Sequence, residues 1–306
     1  MLSLKNKNEL EKLGYTIIPN VMNINECNKS IDMIWNWLEN LKLGLDKNDN
    51  KTWKVTPKGG WPQNLHGIIQ HYQVGQSKFV WDIRTHKNVI KVFKELWNDN
   101  DLLVSFDGAC IMKPPTEGGS TYSSSWLHVD QGPKKKGLHC IQGFMNLEET
   151  TENDGSMVII PGSHKYHSKM FEKNGKIFSQ DWYKLKEDDL KYIYELKLKK
   201  KRLVIPKGAM VLWDSRTIHC NCPPTKKSKN FRYVVYICMT PKKMCNEFNL
   251  KKRIKAFEEI RMTTHWPHHV KLFPKNARTY GVEYPPYNIK KKPIKLKNIG
   301  MKLVGY

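Results

Sequence analysis

Between Leu138 and Met239 the chain is cut into short apolar runs by turn-forming residues, and this punctuation narrows the folds open to it. Leu138 to Leu147 alternates, with Leu138, Cys140, Gln142 and Phe144 in one phase and Ile141, Met145 and Leu147 in the other. That two-residue period is the mark of a strand with two different faces. Asn153-Asp154-Gly155 reads as a turn, Ser156 to Ile160 as a strand, and Pro161-Gly162-Ser163-His164 as a sharp corner. Residues 165–201 read as an insertion with helical pieces and a basic end. Further strands are expected at Leu203 to Ile205, Ala209 to Trp213, Thr217 to Cys222 and Phe231 to Met239. Leu102 to Met112 is also strand-like, and the Pro-, Gly-, Ser- and Thr-rich stretch 113–125 after it must be a loop. Short strands at such spacing imply a sandwich or barrel.

The flanks carry the helical period instead. A short helix is expected over residues 6–13, ended by Gly14, then a strand over Tyr15 to Pro19. From Asn23, a fitting N-cap, apolar residues recur at Cys27, Ile31, Ile34, Leu38 and Leu41, which is one helical face. Residues 42–60 read as a loop, and a second amphipathic helix spans about Asn88 to Trp97. A third runs from Asn246 to Arg261, and the Pro- and Lys-rich tail from Pro267 reads as an extended wrap. At 306 residues without an internal repeat, the chain is expected to form a single domain. Its parts are an N-terminal helical flank (1–100), a strand-built core (101–240) and a C-terminal helix and tail (241–306).

Composition enters where it excludes something. With 39% hydrophobic residues and 10 Trp, 13 Tyr and 10 Phe, the chain can bury a core and is not a disordered segment. The net charge of +23 invites an anionic partner, yet only seven of the 52 basic residues are arginine, the residue suited to bidentate phosphate recognition. The lysines are also scattered over several clusters, so nucleic acid is the weaker reading. The seven cysteines form no Cys-x-x-Cys pair, and the N-terminus lacks the apolar core of a signal peptide. No window approaches a membrane span. A soluble, reduced, cytoplasmic protein is expected.

The chemistry gathers around Trp126-Leu-His-Val-Asp130. On a strand, His128 and Asp130 share a face, so one imidazole and one carboxylate can point at one ion. A second histidine from elsewhere would complete the facial triad that holds non-haem Fe(II) with open positions. His219, 89 residues after Asp130 and following the turn Asp214-Ser-Arg-Thr, supplies it. Arg232 opens the apolar strand Arg-Tyr-Val-Val-Tyr-Ile-Cys, and a buried arginine asks for an anion. A dicarboxylate co-substrate would provide one. His66 and His71 read as ordinary hydrogen-bonded histidines, and His164 as one bonded within its corner. His265-x-x-His268-His269 has no cysteine nearby and a proline inside it, which disfavours zinc.

Four blocks carry a resemblance to a known family: Leu13-Gly-Tyr-Thr-Ile-Ile-Pro-Asn20, Trp126 to Gln131, the long run from Gln142 to His164, and Trp213 to His219 followed by Phe231-Arg-Tyr. In order and content they resemble the phytanoyl-CoA dioxygenase family of Fe(II)- and 2-oxoglutarate-dependent oxygenases. The resemblance implies a mainly β fold with flanking helices, a double-stranded β-helix or cupin-like jelly roll. It implies His128, Asp130 and His219 as metal ligands, Fe(II) as cofactor and 2-oxoglutarate as co-substrate, bound at its distal carboxylate by Arg232. Asn221 stands where members often carry a hydroxyl side chain that touches the same carboxylate, and Gln142, turned to the barrel interior by the alternation above, stays open as a co-substrate or substrate contact or as a purely structural amide. The retained carboxylate of Asp130 favours hydroxylation over halogenation, with release of succinate and CO2. Tyr122 and Trp126, with the 61–76 region, are expected to line the entrance for a small or acyl-type, anionic substrate. From other classes, a metal-binding jelly roll without oxygenase activity and a basic nucleic-acid-binding module on the same fold stay open.

Overall fold

The computed structural model describes residues 1–56, 59–62, 66–122, 126–173, 175–275 and 286–306. The chain begins with helix α1 (Leu4–Leu13), closed at its start by a capping box in which Ser3 and Asn6 satisfy each other's backbone N–H. Gly14 ends it in the left-handed region at φ 77°. A Cβ there would lie 2.5 Å from both His164 Nδ1 and Thr217 Oγ1. Glycine at this position therefore lets the helix end press against the turn that precedes His219. Strand β1 (Tyr15–Ile18) follows, then α2 (Ile24–Asn40), whose N-cap Asn23 forms a second capping box with Glu26. Cys27, Ile34 and Leu38 on α2 are fully buried, as its apolar period demands, and each such aliphatic side chain contributes roughly 1.5–3 kcal/mol on burial.

Short strands β2 (Val55–Thr56), β3 (Gly59–Gly60) and β4 (Ile68–Ile69) lead to α3 (Lys78–Arg84) and α4 (Lys87–Trp97). Helix α3 was not among the expected elements, its seven residues being too short for the 3.6 period to declare itself. The single strand expected over Leu102 to Met112 is two, β5 (Leu102–Val104) and β6 (Ala109–Met112). The break is built around buried polar chemistry: Asp107 meets Arg84 of α3, and Gly108 lies so close to Ile69 that a Cβ would sit 2.0 Å from its carbonyl oxygen.

The core continues with β7 (His128–Val129), β8 (Ile141–Asn146) and β9 (Ser156–Ile159). The insertion holds α5 (His167–Lys173), β10 (Tyr183–Lys184) and α6 (Glu187–Glu195) before β11 (Lys201–Arg202). Then come β12 (Met210–Asp214), β13 (His219–Cys222), β14 (Arg232–Pro241), α7 (Glu247–Glu258) and α8 (Asn298–Val304). The strand expected at Leu203 to Ile205 is displaced: pairing ends at Arg202, and Ile205 makes only an isolated bridge to Thr150. Leu138, expected in phase with β8, is exposed and precedes the strand. The tail ends in α8 rather than remaining extended, and residues 276–285 of it lie outside the described residues.

Among the described residues all strand pairs are antiparallel. The larger sheet runs β1-β12-β8-β14-β6-β4 with β5 added to β14, and the smaller runs β10-β7-β13-β9-β11. Together they make the double-stranded β-helix with flanking helices. Residues 1–100 are thus more than a helical flank, since β1 and β4 belong to the larger sheet. The alternation of β8 sorts its side chains as its sequence demands. Ile141, Met145 and Leu147 pack with α2, α3 and α4 on the outside. Phe144 joins Tyr15, Met157, Val211, Trp213 and Val234 between the sheets. Leu127, Val129, Ile218 and Cys220 pack outward under the insertion with Met170, Phe171 and Ile193. His128 and His219, in opposite phase to those residues, consequently face the interior between the two sheets.

Candidate metal centre

His128 and His219 are direct partners across β7 and β13, their ring centroids 4.3 Å apart. Asp130 leaves β7 on the same side, its backbone N–H tied to Ser215 O at 3.0 Å. Its carboxylate oxygens lie 3.7 Å from His128 Nε2 and 3.2 Å from His219 Nε2. Among the described residues these three form the one cluster whose ligand atoms all fall within 4.8 Å of one another, and all three are buried.

Each imidazole is oriented by the carbonyl two residues before it. His128 Nδ1–H donates to Trp126 O at 3.1 Å and His219 Nδ1–H to Thr217 O at 2.9 Å. In that tautomer both Nε2 atoms turn lone pairs toward a carboxylate, acceptors facing an acceptor, an arrangement that a cation between them relieves. Burial and the neighbouring His219 push His128 down to about 3, so its ring is neutral and free to ligate. Burial alone would raise Asp130, but the imidazoles of His265, His128 and His219 hold its carboxyl below the usual carboxylate range. Two nitrogen donors and one carboxylate on one side of an ion is the donor set suited to non-haem Fe(II). Gln142 Nε2 donates to Asp130 Oδ2 at 2.8 Å, so the amide expected to face the interior does so and orients the carboxylate.

Arg232 starts β14 in the phase of Val234, which faces the interior between the sheets, and is almost completely buried. Nη1 donates to Cys110 Sγ at 3.0 Å, while Nε and Nη2 have no partner. Its guanidinium lies 5.4 Å from the Phe144 ring, and Tyr236 is beside it. Asn221, two residues beyond His219, donates to Tyr236 Oη at 3.1 Å and to His66 O at 3.3 Å. A planar cation with two unmet donors, walled by aromatic rings and a thiol, fits a carboxylate.

The structure separates the remaining histidines. His164 Nε2–H donates to Glu11 O of α1 at 3.1 Å, reaching outside its own corner. Asp214 accepts the backbone N–H of Arg216 and its guanidinium, which shapes the turn before His219. His71 is buried against Tyr72. His268 bonds Thr240 Oγ1 at 3.2 Å, whereas His265 Nε2 is buried without a partner and its ring acts on Asp130.

Of the two residues expected at the entrance, Trp126 is stacked between His66 (4.0 Å, 6°) and His128 (4.7 Å, 20°), and its Nε1–H donates to Asn221 O. Tyr122 is 79% exposed, and residues 123–125 beside it lie outside the described residues. Sequence reasoning missed Trp182, whose ring is 5.7 Å from that of His128, as well as Cys110 and Tyr236 around Arg232. The phase of β14, which places Arg232, Val234 and Tyr236 on one face, was the available signal for Tyr236.

Comparison with known proteins agrees with this geometry. The family model for phytanoyl-CoA dioxygenase (PhyH) matches residues 10–220. The chain belongs to the phytanoyl-CoA dioxygenase family. A relative from Aspergillus versicolor, Ava biosynthesis cluster protein O, is 32% identical over 270 residues, covering 86% of this chain and 85% of that one. Among solved structures, EctD from S. alaskensis with bound Fe aligns with a TM-score of 0.54 at 13% identity, over 80% of this chain and 79% of that one. SnoK, the non-heme alpha-ketoglutarate-dependent carbocyclase from nogalamycin biosynthesis, aligns at 0.52 and 15% identity, over 78% and 84%. As a member of the phytanoyl-CoA dioxygenase family the protein is a 2-oxoglutarate-dependent dioxygenase, with Fe(II) as its cofactor. No helix among the described residues is long and apolar enough to cross a membrane.

Proposed function

We propose that His128, Asp130 and His219 hold the Fe(II), that Arg232 receives the distal carboxylate of 2-oxoglutarate, and that the enzyme hydroxylates a small organic substrate. The observation that carries this reading is Arg232: a buried guanidinium with two unmet donors, on the same interior as the only three-ligand cluster among the described residues. A buried charge without a partner costs several kcal/mol, roughly, and persists where a ligand supplies the partner. When bound, iron and 2-oxoglutarate supply the oxidation, in which O2 and the keto-acid yield succinate, CO2 and a hydroxylated C–H position.

The chain's own residues orient and shield. The Trp126 and Thr217 carbonyls hold both imidazoles in the ligating tautomer, and Gln142 fixes the carboxylate of Asp130. Phe144, Tyr236 and Cys110 wall the guanidinium from water, which strengthens its pairing with a carboxylate. Asn221 reaches the same corner through Tyr236 and adds an amide contact for the co-substrate. We take residues 1–306 as one functional unit. Arg253 of α7 supports this, binding Val104 O of the sheet together with Leu303 O and Val304 O of the tail. The seven cysteines are all thiols, which supports a reducing, cytoplasmic setting.

The test is 2-oxoglutarate-dependent, Fe(II)-dependent succinate formation in a metabolite extract, with Co(II) absorption reporting occupancy of the metal site. His128→Ala, Asp130→Ala and His219→Ala each lose the Co(II) spectrum and at least roughly 100-fold of the succinate rate. Wild-type rates in all three variants would sink the assignment.

A further inference from the structure

The insertion between β9 and β11 puts two side chains on the strand next to His128 that the chemistry above does not use. Strand β10 runs antiparallel to β7, with Tyr183 opposite Val129 and Lys184 opposite His128. Paired residues put their side chains on one face of a sheet, and the face alternates along the strand. Lys184 therefore stands on the face of His128, and Trp182, two residues earlier, follows it. Tyr183 turns the other way, onto Phe171 and Phe178 in the outer cluster.

Both side chains are open where they stand. Trp182 is 52% exposed with its ring 5.7 Å from that of the metal-ligand candidate His128, an unusual place to leave an indole in water. Lys184 is exposed, and its charge reaches His66, which is stacked on Trp126. Of the other lysines nearby in the fold, Lys135 and Lys271 share Asp181, and Lys176 pairs with Asp189. No carboxylate among the described residues pairs with Lys184. The insertion thus presents an unpaired cation in strand register with His128 and an open aromatic face next to that histidine.

We propose that Trp182 and Lys184 form the outer part of the substrate site and take a molecule with an apolar body and an anionic oxygen group, carboxylate or phosphate. The body lies on Trp182 and the anion pairs with Lys184. Oxidation then falls on a carbon of the apolar body, which Trp182 holds beside His128. This rests on the reading of the cluster as the metal centre.

Calorimetry on protein loaded with Co(II) and saturated with 2-oxoglutarate tests it, using 2-naphthoate, 2-naphthyl phosphate and neutral 2-naphthamide as probes. The wild type should bind at least one anionic probe about 10-fold more tightly than the amide, and which one identifies the anion. Lys184→Ala should abolish that preference, Lys184→Arg should keep it, and Trp182→Ala should weaken all three probes alike. Equal binding of anions and amide by the wild type, binding of none of them, or a preference that survives in Lys184→Ala would overturn the proposal. The Co(II) spectrum separates the two levels. If the wild type takes up no Co(II), the metal reading fails. If Co(II) binds and the anion preference is missing, only the substrate inference fails.

Discussion

Arg253 and Arg232 are both almost completely buried, and the contrast between them separates structure from function in this molecule. Arg253 donates to four backbone carbonyls: Val304 at 2.5 Å, Val104 at 2.6 Å, Pro267 at 2.7 Å and Leu303 at 2.8 Å. Burial pushes it down to about 9, yet the carbonyls engage all three of its nitrogens and so staple the tail to β5. Arg232 meets only the Cys110 sulfur and the neighbouring Tyr236, and its Nε and Nη2 are idle. The first cation is finished by the fold. The second waits for a partner, and it does so in the interior that the three metal-ligand candidates face.

That difference is open to direct attack. Arg253→Ala strands four carbonyls and should cost about 3–5 kcal/mol in chemical denaturation, the largest stability loss expected here. Arg232→Met removes only the contacts with Cys110 and the Tyr236 hydroxyl and should leave the stability of the 2-oxoglutarate-free protein unchanged or higher. If both substitutions destabilise alike, the distinction collapses. In calorimetric titration Arg232→Met should weaken 2-oxoglutarate by roughly 10- to 100-fold. In thermal melts it should also lose the stabilisation of about 2.7 kcal/mol that the wild type gains at 100 times its dissociation constant. Tyr236→Phe removes a hydroxyl from the same corner and should weaken 2-oxoglutarate less, by up to about 10-fold.

The smallest effect concerns His268, lowered by burial and by the cations around it to about 4. Its folded value lies below the unfolded one near 6.5, so the unfolded chain binds the extra proton between them. Stability from this group is present above about pH 6.5 and is lost as the pH falls through about 4. His268→Asn should flatten the stability-against-pH curve in that window, measured by denaturation at fixed pH steps. An unchanged slope would remove His268 from the account.

Much of the fold was legible because local spacing dictates it. The N-cap Asn23, the stop at Gly14 and the two phases of β8 each follow from short-range backbone geometry, and the structure holds them. The His-x-Asp triplet shows both side chains on one face for the same reason. Where local pattern and tertiary contact competed, contact won. Leu102 to Met112 looks like one strand, but the Arg84–Asp107 pairing and the close approach at Gly108 break it. Leu203 to Ile205 has the composition of a strand, yet Leu203 is buried in the inner cluster while pairing ends at Arg202.

By itself, then, the sequence determined which atoms are offered and in what order: two imidazoles, a carboxylate and an arginine, on strands whose alternation turns them inward. The tertiary structure decided what surrounds them. That β10 pairs with β7 and brings Trp182 and Lys184 to His128, or that Cys110 and Tyr236 wall Arg232, depends on register between segments far apart in the chain. Register is set by packing both sheets against one core and the helices at once, and no local spacing encodes it.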